Sequence, residues 1–111
     1  MIHATHLIIE LHGVSEALLN DAAALESALL GAAAAAKCEV LGSVKHQFQP
    51  QGASVVVLVA ESHLSIHTWP EHRYAAADIL TCGKTLPGAG VDFLIHSLRP
   101  ERHEVRELNR G

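Results

Sequence analysis

Residues 60–71 read Ala60-Glu61-Ser62-His63-Leu64-Ser65-Ile66-His67-Thr68-Trp69-Pro70-Glu71. Two serines, two histidines, a tryptophan and two carboxylates therefore sit together, with apolar segments on either side at 54–60 and 74–83. Such a block is open to two chemistries. A serine hydroxyl beside a histidine can act as a nucleophile when the imidazole takes its proton. No Gly-x-Ser-x-Gly sequence is present, so an ordinary hydrolase is not indicated. Histidines can also hold zinc, and His63 and His67 with His46, Cys82 or Glu61 are the nearest set. In a strand, four residues span about 13 Å, so those two histidines share an ion only if the strand bends. No metal is expected on that ground. His3, His12, His72, His96 and His103 stand alone and read as ordinary surface or core residues.

The flanking patterns say what must position this block. Residues 62–68 alternate, which predicts a strand with Leu64, Ile66 and Thr68 on one face. His63, Ser65, His67 and Trp69 then share the other. Residues 53–60 and 74–82 predict strands on either side, with a turn at 70–73. Leu7, Ile9 and Leu11 predict a strand over 5–11, and residues 40–48 another, with Gly42 a possible bulge. Gln49-Pro50-Gln51-Gly52 predicts a turn. Asn20 as N-cap opens an alanine-rich helix to about residue 36, with Leu25, Ala28, Leu29 and Ala32 as its buried stripe. A second helix follows Pro87-Gly88-Ala89-Gly90, buries Val91, Leu94, Ile95 and Leu98, and stops at Pro100. Residues 103–108 predict a last strand. The order β-α-β-β-β-β-α-β predicts an α+β two-layer sandwich, a mostly antiparallel sheet with both helices on one face. The other sheet face then needs cover, and a second subunit is the simplest source.

Composition narrows the function classes. At 111 residues the chain predicts a single domain, 1–111, with a small core that dimerisation would help. A formal charge of -4 gives no electrostatic footprint for nucleic acid. No apolar run reaches the length of a membrane span, and the first residues lack a basic flank before an apolar run, so neither membrane nor signal peptide is expected. Two cysteines are too few for a disulfide framework, which predicts a reducing, cytoplasmic setting.

Residues 61–71, with Pro50-Gln51-Gly52, Ser54, Tyr74-Ala75-Ala76, Thr81-Cys82-Gly83 and Val105-Arg106-Glu107-Leu108, resemble the prokaryotic S-adenosylmethionine decarboxylase proenzymes, a pyruvoyl-dependent family. The resemblance spans nearly the whole chain. It implies a protein that cuts itself between Glu61 and Ser62, into 1–61 and 62–111. It implies that Ser62 attacks the Glu61 carbonyl and becomes a covalent pyruvoyl group, the only cofactor, which takes the substrate amine as a Schiff base. Ser54 and His67 are implied to assist processing, and Cys82 to donate the proton after carbon dioxide leaves. Phe48 and Trp69 are implied to stack on the substrate, Glu71 to bind its ribose, and Leu64 to line the pocket. A homodimer with sites near its interface, acting in polyamine biosynthesis, completes the expectation.

Three departures stand out. Ala4-Thr5-His6 replaces the family's usual Gly-Lys-His or Gly-Arg-His, Lys45 stands where an aromatic residue is frequent, and Lys37-Cys38 replaces Gly-Ala. Arginine or ornithine is the alternative substrate for the same machinery. A non-enzymatic binding or metal module that keeps the fold is the alternative of another class.

Overall fold

A computed structural model describes residues 3–111. Six strands form one sheet in the order β2-β3-β4-β5-β1-β6: β1 (Ala4–His12), β2 (Glu39–Gln47), β3 (Ala53–Ala60), β4 (Ser62–Trp69), β5 (Tyr74–Cys82) and β6 (Arg102–Arg110). Every neighbouring pair is antiparallel. The helices are α1 (Glu16–Leu19), α2 (Ala22–Ala35) and α3 (Pro87–Leu98). The α+β expectation holds, with one antiparallel sheet and two main helices. The short α1 and a 3-10 turn at Pro70–His72 are additions to the sequence-based layout.

Strand alternation sorts the residues onto two faces. Leu7, Ile9, Leu11, Val55, Val57, Leu64, Ile66, Ala75 and Ile79 are all buried beneath α2 and α3. From α2 the core takes Leu25, Ala28, Leu29 and Ala32, and from α3 Val91, Leu94 and Leu98. Ile95 is only partly buried and packs at the margin. The opposite face carries His6, Ile8 and Glu10 of β1, Ser54, Val56 and Leu58 of β3, and the odd-numbered positions of β4. No helix covers it. Val44, Val56 and Leu58 are 73%, 41% and 54% exposed there.

One local expectation changes. Asn20 does not cap α2; it closes α1 instead, and the Asp21 carboxylate accepts from the Ala24 backbone N–H at 3.0 Å. Asn20 Oδ1 is engaged by the Gly52 N–H at 2.9 Å and by Gln47 at 3.0 Å, which ties the helix start to the β2–β3 turn. The α2 terminus needs a left-handed residue, and Lys37 supplies it at φ 60. The Lys37 N–H then donates to Ala34 and the Cys38 N–H to Ala33, the Schellman pattern that satisfies the last carbonyls without a glycine. The bulge expected at Gly42 is present as a register shift between Val40 and Gly42.

Candidate active site

The β3–β4 hairpin places the central residues. Val59 pairs with Ser62, so Ala60 and Glu61 form its tip, and Ser62 begins β4. Ser62 has φ 108, a conformation that residues with a side chain rarely adopt and that recurs at functional positions. On its other side Ser62 pairs with Thr81. Cys82, the last residue of β5, is therefore one step beyond the position opposite Ser62. The structure brings these two together at one end of the sheet. Of the two free thiols, Cys38 is buried and burial pushes it up; Cys82 is only partly buried.

Ser54 and His67 are a cross-strand pair, and Ser54 Oγ lies 2.7 Å from His67 Nδ1. They share the open face but not the Ser62 end. His67 is five residues along β4 from Ser62, a distance of roughly 16 Å in an extended strand. The far end also holds three aromatic residues, Phe48, Trp69 and Tyr74. Trp69 stacks on Tyr74 with ring centroids 5.5 Å apart and planes 29° from parallel. Phe48 meets His46 edge-on at 4.6 Å. Glu71 lies exposed in the 3-10 turn just after Trp69. The residues singled out from the sequence thus fall into two groups at opposite ends of one face, with a shallow depression of about 290 Å³ between them, lined by Ile8, Ser65, His67, Ala76 and Asp78.

Leu64 does not present its side chain to the open face: that side chain is fully buried on the helix face. The zinc set named from the sequence is not assembled either: His63 and His67 are held apart by the straight strand, and His46 packs on Phe48.

Sequence reasoning missed a polar cluster centred on Asp78. His6 Nε2 and His63 Nε2 lie 2.7 and 2.9 Å from Asp78 Oδ2, and Ser65 Oγ donates to Oδ1. Burial alone would raise the Asp78 carboxyl, but the hydrogen bonds from Ser65, His6 and His63 outweigh it and hold the group below its usual range. A second carboxylate, Glu10, accepts from the Tyr74 hydroxyl; burial and that neighbour push the phenol up to about 12. The available signal was alternation in β1 and β5, which puts His6, Ile8, Glu10 and Asp78 on the face of His63 and His67. Among the described residues no buried side-chain polar atom lacks a partner.

Residues 5–111 match the family described as S-adenosylmethionine decarboxylase. The chain is 46% identical to S-adenosylmethionine decarboxylase proenzyme 2 of Bacillus cereus over 107 residues, covering 96% of this chain and 87% of that one. It is also 46% identical to the S-adenosylmethionine decarboxylase proenzyme of Brevibacillus brevis, covering 96% and 80%. The crystal structure of the adenosylmethionine decarboxylase from Aquifex aeolicus superposes with a TM-score of 0.92 at 37% identity, covering 99% of this chain and 92% of that one. The chain belongs to the S-adenosylmethionine decarboxylase family.

Proposed function

We propose that this chain is a self-cleaving decarboxylase of S-adenosylmethionine, that it works as a homodimer, and that each active site combines the Ser62 end of one protomer with the His67 end of the other. The observation that carries the dimer is the separation of the half-sites along β4. A straight, paired strand does not bring Ser54 and His67 to a peptide bond roughly 16 Å away. A two-fold axis perpendicular to β4, lying between two facing open faces, exchanges the strand ends and sets one half-site against the other. The same packing covers Val44, Val56 and Leu58, whose exposure is unusual for side chains of their type.

The chemistry follows from the groups at each end. The Ser62 hydroxyl attacks the Glu61 carbonyl carbon; the C–N bond breaks, the amine takes a proton, and an ester replaces the amide. Loss of the Ser62 α-proton with cleavage of the ester C–O bond frees the Glu61 carboxylate. Hydrolysis of the resulting imine releases ammonia and leaves a ketone. His67 of the partner copy suits the proton transfers, because Ser54 occupies Nδ1 and leaves Nε2 facing outward. The residues present fit a pyruvoyl group at position 62, which supplies the electron sink that decarboxylation requires. Cys82, one step from the position opposite residue 62, gives its thiol proton to the substrate carbon. Trp69, backed by Tyr74, and Phe48 offer faces to the adenine and the sulfonium cation, and Glu71 takes the ribose hydroxyls. The two free thiols fit a cytoplasmic location.

Co-expression of Ser62→Ala with His67→Ala chains tests the reading. Each variant alone remains uncut. If sites are shared, mixed dimers contain one intact site, and a fraction of the His67→Ala chains is cut between 61 and 62, the second piece being lighter by one ammonia than hydrolysis would leave. No cut chain in the mixture, with wild type cut normally, overturns the shared site. Carbon dioxide released from arginine or ornithine, and not from S-adenosylmethionine, overturns the substrate.

A further inference from the structure

We propose that His6, His63 and Asp78 form a binding site for a zinc-type divalent transition-metal ion, and that an ion bound there inhibits the enzyme. None of the three residues has a role assigned above, and three adjacent strands build the cluster. Leu80 of β5 pairs with His63 of β4 on one side and with His6 of β1 on the other. The two histidines therefore flank a single β5 position. Asp78, two residues earlier on the same face of β5, lies between them. One ligand atom from each residue falls within a sphere where all are less than 4.8 Å apart.

The donor set is two imidazoles and one carboxylate, a combination that suits zinc and not magnesium or calcium, which prefer all-oxygen shells. Bonds of about 2.0–2.2 Å in tetrahedral geometry put ligand atoms roughly 3.4 Å apart. The present spacings of 2.7 and 2.9 Å to Asp78 Oδ2 need an opening of about half an ångström, which small ring rotations provide. The rings are already near perpendicular, with centroids 6.2 Å apart. Binding the ion requires each Nε2 to be free of its proton, which solvent can carry away or deliver to Nδ1. Ser65 holds the other Asp78 oxygen and orients the carboxylate, the arrangement that tunes metal ligands from outside the coordination shell. All three side chains retain some solvent access, with 15%, 35% and 20% of their surface exposed. Three protein ligands leave a fourth position open.

Location supplies the inhibition. His63 directly follows Ser62, and Cys82 is two residues past Leu80 on the same face of β5. An ion held by His6 and His63 therefore stands beside both groups and competes for the space of a substrate carboxylate or amine. This second half of the proposal rests on the function proposed above; the binding half does not.

The test uses purified full-length protein, freed of metal, titrated with Zn²⁺ against a chromophoric chelator and separately with Co²⁺. The expected result is one ion per chain, a visible cobalt band typical of tetrahedral nitrogen and oxygen ligation, and at least about tenfold weaker binding in His6→Ala and in Asp78→Asn. His103→Ala, on the far edge strand, should bind as wild type does. Circular dichroism checks that each variant is folded, and His63→Gln replaces any that is not. No stoichiometric binding, or binding unchanged in folded variants, overturns the site and shows the cluster to be a hydrogen-bonded network only. Zinc should also slow carbon dioxide release competitively with substrate, with chelator restoring it and His6→Ala shifting half-inhibition to at least tenfold higher zinc relative to that variant's own rate. Stoichiometric binding without inhibition of a working decarboxylase overturns the regulatory half. A chain that binds zinc but does not decarboxylate leaves the site standing and overturns the function instead.

Discussion

The two faces of the sheet are built from the same strands under opposite rules. The helix face is apolar across its central strands apart from two buried polar residues, Thr68 and Thr81. The open face interleaves valines and leucines with His6, Glu10, Ser54, His63, Ser65, His67 and Asp78. One face holds the chain together, and the other is left open. Stability and chemistry are thereby separated by a single residue step along each strand, since neighbouring positions point to opposite sides.

Substitutions can break or sharpen that contrast. The largest effect is expected on activity: Ser62→Ala should fold normally, remain a single 11.9 kDa chain and release no carbon dioxide, as read by denatured mass and an activity assay. On the helix face, Leu64→Ala empties a fully buried site and should lower unfolding free energy by about 2–5 kcal/mol, measured by denaturant titration. Val56→Ala on the open face removes a smaller, partly exposed side chain and should instead weaken self-association, measured by dilution in sedimentation experiments. Equal losses of unfolding free energy in the two would erase the distinction.

Thr68 tests the polar exception within the closed face. Its hydroxyl donates to the Leu19 carbonyl at 2.7 Å and accepts from the Ala53 N–H at 2.9 Å. Thr68→Val leaves both backbone groups without that partner and should cost about 1–3 kcal/mol, again by denaturant titration.

Asp78 tests the open face through pH. Its folded-state value is depressed, so its contribution is present above the ordinary carboxylate range near ~3.9 and is lost as pH falls through the lower folded value. Because the side chain keeps 20% of its surface exposed to screening solvent, the contribution should be no more than about 1 kcal/mol. Melting temperatures of wild type and Asp78→Asn should therefore differ at pH 6 and converge toward pH 3; a constant gap would remove the carboxylate from the account. The smallest effect is expected at Lys37, whose φ of 60 suits glycine. Lys37→Gly should stabilise by a few tenths to about 1 kcal/mol, visible as a slightly higher melting temperature.

Most of the architecture was legible because alternation is a strong signal in strands as regular as β4 and β5. Leu64, Ile66 and Thr68 were assigned to one face and His63, Ser65 and His67 to the other on that signal alone, and both assignments hold. The N-cap was misassigned because Asn20 and Asp21 are both good caps, and only the tertiary contact of Asn20 with Gly52 decides between them. The site was less legible. Residue types near 60–71 mark chemistry, but the distance between Ser62 and His67 depends on the strand staying straight. Leu64 was placed in the pocket by resemblance, although its own alternation puts it in the core. The Asp78 cluster escaped because its members come from β1, β4 and β5, which are far apart in sequence and meet only through the register.

The hairpin tip between Val59 and Ser62 has a consequence for refolding. The proposed cut after Glu61 would divide the chain where β3 and β4 are still joined by their ladder, so neither piece would be released. The interlocking goes further: β1 belongs to the first piece but lies between β5 and β6 of the second. Once such a molecule is unfolded, its recovery changes kinetic order. Two strangers must find each other before β1 can enter its slot, so regain of structure should slow with dilution, whereas uncut Ser62→Ala chains should form the same sheet at a rate independent of concentration.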